Sequence, residues 1–271
     1  MSALDGRTAV VAGCGPNIGA AVALALAAAG AQVACLDKDP LYAEKCAGEV
    51  RAQGGQAEPF ACDVTHQGQV VSAVKAIVDR FGGIDVLFNG VAARIQKGVL
   101  DTSLDEFRMQ IDVILAGTFL LTKHAAASMI ERGRRGSIIN VISTEGHQGF
   151  PGSVGYGTAK AGLLNFTRSV AMELAPHGIR VNSLTPTSTD PEEGFERAAR
   201  WGVPAKPPSP KPASFMSGAV GVPLGRLPKP SDYGPVVVFL AGDDSQMVTG
   251  FDLRVDGGTV ARYWRWQPQP V

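Results

Sequence analysis

The chain has 271 residues, 45% of them hydrophobic, and its 25 lysines and arginines balance 25 aspartates and glutamates. A neutral total leaves no electrostatic footprint for nucleic acid or an anionic membrane surface, and the length suits one large α/β domain or two small ones. Four scattered cysteines, Cys14, Cys35, Cys46 and Cys62, show neither Cys-x-x-Cys nor Cys/His spacing, so they read as small buried hydrophobes and no metal is expected.

Short apolar runs alternate with helical patterns from the start. Residues 8–13 read as a buried strand, 18–29 as an alanine-rich helix ended by Gly30, and 32–37 as a second strand. A helix over 42–53, a strand over 56–61, a helix over 67–81 and a strand over 84–88 follow. The second half continues with a long helix over 104–132, a strand over 136–142, a helix over 155–175 and a strand over 179–184. A last helix near 231–241 leads to a strand over 251–255. Strands buried on both faces and separated by helices predict an α/β fold built on one parallel, doubly wound sheet with helices on both faces. Ligands of such sheets bind beyond the carboxyl ends of the strands.

One segment departs from the alternation. From Thr187 to Pro223 the chain reads as irregular and proline-rich, including Lys206–Pro212. An insertion of that length after a strand end is expected to be a substrate lid, with a passive linker as the plainer account. No apolar stretch near the start is long enough for a signal peptide, and no run approaches the roughly 20 apolar residues that span a bilayer. The expectation is therefore a soluble, cytoplasmic protein without nucleic-acid or membrane partners.

The turn Gly13-Cys-Gly-Pro-Asn-Ile-Gly19 joins the first strand to the first helix. Glycines at such a turn let the backbone approach a pyrophosphate at the helix N-terminus. Asp37 ends the second strand, where a carboxylate accepts hydrogen bonds from ribose hydroxyls and repels a ribose phosphate. That favours NAD over NADP, although the neighbouring Lys38 works against the repulsion.

Tyr156-Gly-Thr-Ala-Lys160 sets a phenol and an ammonium one helical turn apart on one face. A nearby ammonium lowers a tyrosine pKa from about 10, which suits a general acid for carbonyl reduction and a general base for alcohol oxidation. Ser143, just after the preceding strand, is placed to hydrogen-bond the same substrate oxygen.

With these pieces in order, the chain resembles the short-chain dehydrogenase/reductase family, a Rossmann-type family, over nearly its whole length. The matching stretches are the glycine turn, Cys62-Asp-Val64, Asn89-Gly-Val-Ala92, residues 136–143, Tyr156 to Lys160 and Leu174 to Asn182. Pro223-Leu-Gly-Arg226, Val248-Thr-Gly250 and Val255-Asp-Gly-Gly258 complete them. The resemblance implies that Tyr156 is the acid/base, that Ser143 orients the substrate, and that Lys160 depresses the tyrosine pKa and holds the nicotinamide ribose. It further implies that Gly13, Asn17, Ile18 and Gly19 form the cofactor turn. Asp63 and Val64 would flank the adenine and Asn89 would line the cleft. Family members commonly form dimers and tetramers through their long central helices and last strand, so a homo-oligomer is expected.

Several positions depart from the family pattern. Asn17 stands for the middle glycine of the turn, and asparagine's tolerance of left-handed backbone is expected to preserve cofactor binding. Asn89-Gly-Val-Ala92 keeps one asparagine of the usual pair. After Pro186 the usual glycine is Thr187, so Pro186 and Thr189 are expected to take the nicotinamide contacts, with Thr187 or Ser188 as alternates. Counting back from Gly117, the family's fourth catalytic residue, an asparagine that supports a water-linked relay to the lysine, is Ile114. Isoleucine cannot do this, so a rerouted relay stands beside a second reading, an NAD(H)-binding protein with little or no turnover. A reductase of acyl thioesters would more often use NADP, which Asp37 disfavours.

Phe195, Trp201, Phe215 and Met216 in the insertion, with Phe150, suggest an apolar pocket for a hydrophobic cyclic secondary alcohol or ketone; packing the lid down is the other account. Glu145 and His147 stand where they could touch a polar substituent. The aromatic tail over 259–271, with Tyr263-Trp-Arg-Trp266, either caps its own core or crosses to a neighbouring subunit.

Overall fold

A computed structural model describes residues 2–204 and 221–263. Seven strands form one sheet: β1 (Thr8–Ala12), β2 (Gln32–Asp37), β3 (Gln56–Ala61), β4 (Val86–Asn89), β5 (Ser137–Val141), β6 (Arg180–Pro186) and β7 (Asp252–Val255). Their spatial order is β3-β2-β1-β4-β5-β6-β7, and every neighbouring pair is parallel. The order reverses beside β1, which pairs with β2 on one side and β4 on the other, Ala12 lying opposite both Leu36 and Asn89. A crevice opens at such a reversal, outside the carboxyl ends of the strands. The residues that follow those ends therefore meet there.

Helices α1 (Ile18–Ala28), α2 (Pro40–Ala52), α3 (Gln67–Phe81), α4 (Leu104–Ile111), α5 (Gly117–Glu131), α6 (Val154–Leu174), α7 (Glu192–Trp201) and α8 (Pro230–Ala241) cover the sheet. One apolar layer joins Val11, Val33 and Phe88 to Val22, Leu26, Val237 and Leu240. The other joins Val10, Leu36 and Leu87 to Ile77, Leu121 and Met129. Burial on both faces explains why the strands read as continuous apolar runs.

The stretch expected as one helix over 104–132 is divided. α4 begins at a capping box, in which Ser103 Oγ accepts from the Glu106 N–H at 3.2 Å and the Glu106 carboxylate accepts from the Ser103 N–H at 2.9 Å. A π-helical turn over Asp112–Ala116 then separates α4 from α5. This helical stretch has the length and apolarity of a membrane span, yet half of its most apolar window is buried, and it packs against α3, α6 and β4.

The insertion also differs from its expected irregular course. Residues 192–201 form α7, pinned to the nucleotide side of the fold. Glu49 on α2 accepts from Trp201 Nε1 at 2.6 Å and Arg200 at 3.1 Å and pairs with Arg197 at 3.3 Å, while Arg197 Nη1 donates to the Pro16 carbonyl at 2.8 Å. Trp201 is buried in the core rather than in a substrate pocket. Phe215, Met216, Trp264 and Trp266 lie outside the described residues.

Candidate active site

The nucleotide side of the crevice is made of backbone. Gly13 has φ +80°, and a Cβ added there would stand 2.9 Å from the Gly90 carbonyl carbon. A Cβ on Gly19 would stand 2.0 Å from the Gly13 carbonyl oxygen, so α1 can start this close to β1 only on a glycine. Asn17 makes no side-chain cap, which leaves the first N–H groups of α1 open to an anion. Its φ is −96°, so the left-handed backbone expected there is not used; the chain turns without it. A cavity lined by Gly13, Gly15, Asn17, Ile18, Gly19, Thr189 and Phe195 runs along this turn. Its glycine lining and the open helix end fit a pyrophosphate.

Asp37 closes β2 with Oδ1 accepting from the Asp39 N–H at 3.1 Å, and burial raises its carboxyl above the ordinary aspartate value. Asp63 caps its own turn, accepting from Thr65 N–H at 3.0 Å and Thr65 Oγ1 at 2.7 Å. Val64 is buried, its Cγ2 only 2.5 Å from where a Cβ on Gly117 would sit. Asn89 is where expectation and structure part. It is buried beneath the crevice, donating to Asn140 Oδ1 at 2.9 Å and Thr122 Oγ1 at 3.2 Å, and the wall at this point is made by Gly90 and Ala92.

A second cavity, sharing Asn17, Ile18 and Gly19 with the first, brings together Ser143, Tyr156, Lys160, Pro186 and Thr187 to Thr189. Ser143 follows β5 in extended backbone and starts a short turn, its Oγ accepting from the Glu145 N–H at 3.1 Å. Gly146 lets that turn lie on α6, since a Cβ there would meet the Lys160 carbonyl carbon at 2.9 Å. Lys160 is buried, with Nζ donating to the Val141 carbonyl at 2.6 Å, and burial lowers its pKa to about 7. Thr189 Oγ1 is held 2.9 Å from the Tyr233 hydroxyl.

The expected depression of the tyrosine by the lysine is absent from this geometry. Burial pushes the Tyr156 phenol above its ordinary value; the Ser143 hydrogen bond pulls it back, Glu145 adds to the rise and Arg94 opposes it. Lys160 stands 5.7 Å from the ring centroid, and its own charge is disfavoured by burial.

Arg94 is the residue that sequence reading missed. It follows β4 on an irregular stretch, lines both cavities, and places its guanidinium carbon 5.4 Å from the Tyr156 ring centroid. Its signal was its place after a strand end. Arg94 Nη2 donates to Glu145 Oε1 at 2.7 Å, and the other oxygen of Glu145 accepts from the Ser153 hydroxyl. Glu145 thus lines the cavity, whereas His147 turns away to Asp252 at 3.1 Å and Thr185 at 3.3 Å.

Ile114 sits in the π-helical turn, fully buried in an apolar cluster with Ile142, Ala159 and Leu163, against which Tyr156 packs. No side-chain relay can start from it.

A doubly wound parallel sheet whose order reversal carries a glycine turn and a serine, tyrosine and lysine set defines a Rossmann-type oxidoreductase architecture. The family model described as enoyl-(acyl carrier protein) reductase matches residues 13–260. The 2,5-dichloro-2,5-cyclohexadiene-1,4-diol dehydrogenase of Sphingobium indicum is 36% identical, over 96% of this chain and 100% of its own. A short-chain type dehydrogenase/reductase from Mycobacterium marinum superposes with a TM-score of 0.84 at 32% identity, covering 96% of this chain and 97% of its own. An NAD+-bound xylitol dehydrogenase reaches 0.84 at 35% identity, covering 94% and 99%. The chain belongs to the short-chain dehydrogenase/reductase family.

Proposed function

We propose that this protein is an NAD(H)-dependent oxidoreductase that interconverts a secondary alcohol and a ketone on a hydrophobic cyclic substrate. The observation that carries this reading is the convergence of Ser143, Tyr156 and Lys160 on a cavity that shares its floor with the glycine turn. Asp37 at the end of β2 supports NAD over NADP, because its carboxylate would face a ribose phosphate. The dehydrogenase of a cyclohexadiene diol among its relatives, and apolar lining by Ile18, Phe88, Ala92 and Ile142, support a cyclic substrate.

NAD+ bound along the turn supplies the hydride acceptor. In this reading the Ser143 hydroxyl holds the substrate oxygen and Tyr156 takes the hydroxyl proton as the carbinol hydrogen leaves. Lys160, whose pKa burial lowers to about 7, is too weak a base to take the proton of the raised phenol, so Tyr156 must first lose that proton to solvent in the cavity before it accepts one from the alcohol. The burial that raises the phenol pKa keeps Tyr156 protonated in the ligand-free protein, ready as an acid for ketone reduction. Exposed apolar side chains on the helices, among them Leu104, Phe119 and Met172, support assembly into a homo-oligomer.

The test is NADH formation from NAD+ with a panel of cyclic secondary alcohols. Tyr156→Phe should lower kcat by about 10²–10⁴-fold while NADH still binds. Equal turnover in the variant would remove Tyr156 from the chemistry, and a wild-type protein that binds NADH yet oxidises no alcohol would favour the non-catalytic reading.

A further inference from the structure

The ion pair beside Tyr156 has no part in the hydride and proton transfers, yet it lines the same cavity. Arg94 comes from the stretch after β4 and Glu145 from the turn after β5, so two strand ends each deliver one charge to one place. Their contact is 2.7 Å. The guanidinium also lies 5.9 Å from the Phe150 ring centroid, so it rests between two aromatic rings. Glu145 is held on its second oxygen by Ser153, and its side chain is only 15% exposed against 41% for Arg94. Among the described residues Arg94 makes no hydrogen bond besides that to Glu145, which leaves guanidinium donors for a ligand.

A pair of this kind selects by charge and by hydrogen-bond sense. A carboxylate brought to Arg94 would also meet the carboxylate of Glu145, and the attraction and repulsion would largely cancel. The nearby Lys160 is committed to the Val141 carbonyl and adds little. A purely apolar ring would strip water from both charges and return no hydrogen bond. A neutral hydroxyl satisfies both partners at once, accepting from Arg94 and donating to Glu145, and hydrogen bonds to ionised groups are roughly twice as strong as neutral ones.

We infer that the Arg94–Glu145 pair reads a second hydroxyl, so that the substrate is a cyclic diol of which one carbinol is oxidised at Tyr156. The inference rests on the alcohol dehydrogenase reading for its chemistry but not for its binding. One carbinol loses a hydride to NAD+ and its hydroxyl proton to Tyr156, giving a hydroxyketone; the second hydroxyl stays unchanged on the ion pair. Arg94 and Glu145 are specificity residues here. A site that hydrogen-bonds a hydroxyl discriminates against the analogue lacking it, and partial exposure of Arg94 moderates the effect to about 10–100-fold.

The experiment measures dissociation constants by calorimetry for the protein saturated with NADH, alongside kcat/KM with NAD+. The probes are cyclohexanol, the isomeric cyclohexanediols and 4-hydroxycyclohexanecarboxylate. The wild-type protein should bind at least one diol about tenfold or more tighter than cyclohexanol. Arg94→Gln and Glu145→Gln should each collapse that ratio, and the double variant Arg94→Met with Glu145→Met should reverse it in favour of cyclohexanol. A wild-type protein without diol preference, or a ratio that survives in both single variants, overturns the inference. So does tightest binding of the carboxylate with a gain lost in Arg94→Gln alone. Diol preference in binding without turnover upholds the pair's role and sinks the dehydrogenase reading; turnover without diol preference does the reverse.

Discussion

The two walls of the crevice are built by different means. The nucleotide wall is backbone: a five-residue turn, Gly13 to Asn17, between β1 and α1, where Gly13 and Gly19 in the first turn of α1 permit close approach and an open helix end awaits an anion. The substrate wall is side chain, with Arg94 and Glu145 lying 51 residues apart in sequence and joined only by the fold. Backbone walls tolerate little change and serve any ligand with the same phosphates. Side-chain walls are replaceable one residue at a time, so they are where one member of a fold can come to differ from another in substrate.

The sharpest way to break this contrast is Gly19→Val. With no room between the added carbon and the Gly13 carbonyl, NADH binding should fall by at least about 100-fold in fluorescence titration, consistent with the closeness of helix and strand. Retained binding would show that side chains, not backbone, make the nucleotide wall. Glu49→Gln tests whether α7 is a fixed part of that wall. Loss of the charge shared by Arg197, Arg200 and Trp201 should cost about 2–3 kcal/mol in urea unfolding and weaken NADH binding, whereas unchanged stability would make α7 a free lid.

Ile114→Asn probes the apolar packing behind Tyr156. An amide placed among Ile142, Ala159 and Leu163 should cost about 2 kcal/mol of stability, and a neutral result would mean that the π-helical turn already offers the amide a partner. Asp37→Ser should shift the ratio of NADP to NAD affinity by about tenfold, or about 1.4 kcal/mol, toward NADP; an unmoved ratio would remove Asp37 from nucleotide selection.

A pH-dependent effect concerns Lys160. An unfolded lysine keeps its proton up to about pH 10.4, whereas burial lowers Lys160 to about 7. Between these values the unfolded chain binds the extra proton, so this group makes the ligand-free protein more stable as pH rises, by up to about 1.4 kcal/mol per unit. Below about pH 7 its contribution is flat. Urea melts from pH 7 to 9 should show a shallower rise in Lys160→Met than in the wild type, and equal slopes would mean that Lys160 keeps its charge when buried.

What could be read without the structure follows the range of the interactions. The strand over 32–37 and the helix over 67–81 match their predicted limits, because a buried strand and an amphipathic helix write their periods into adjacent residues; the edge strand over 56–61 matches as well, though only Ala57 in it is buried. The glycine turn and the Tyr156 to Lys160 spacing were legible for the same reason, each being complete within a few positions. The helix α7 was not, because proline-rich surroundings masked it and its anchor, Glu49, lies 152 residues from Trp201. Asn89 looked like a cleft residue and proved to be a buried link to Asn140 and Thr122, a distinction set by the register of β4 with β5.

The sequence by itself determined the alternation of strands and helices, the crevice end of the sheet and the residue types gathered there. Local steric and periodic rules settle these along the chain. Tertiary structure alone decided that Arg94 meets Glu145 over Tyr156, that Lys160 is spent on the Val141 carbonyl, and that burial raises the phenol pKa. Charges and desolvation depend on distances between segments far apart in the chain, and no local pattern encodes those distances.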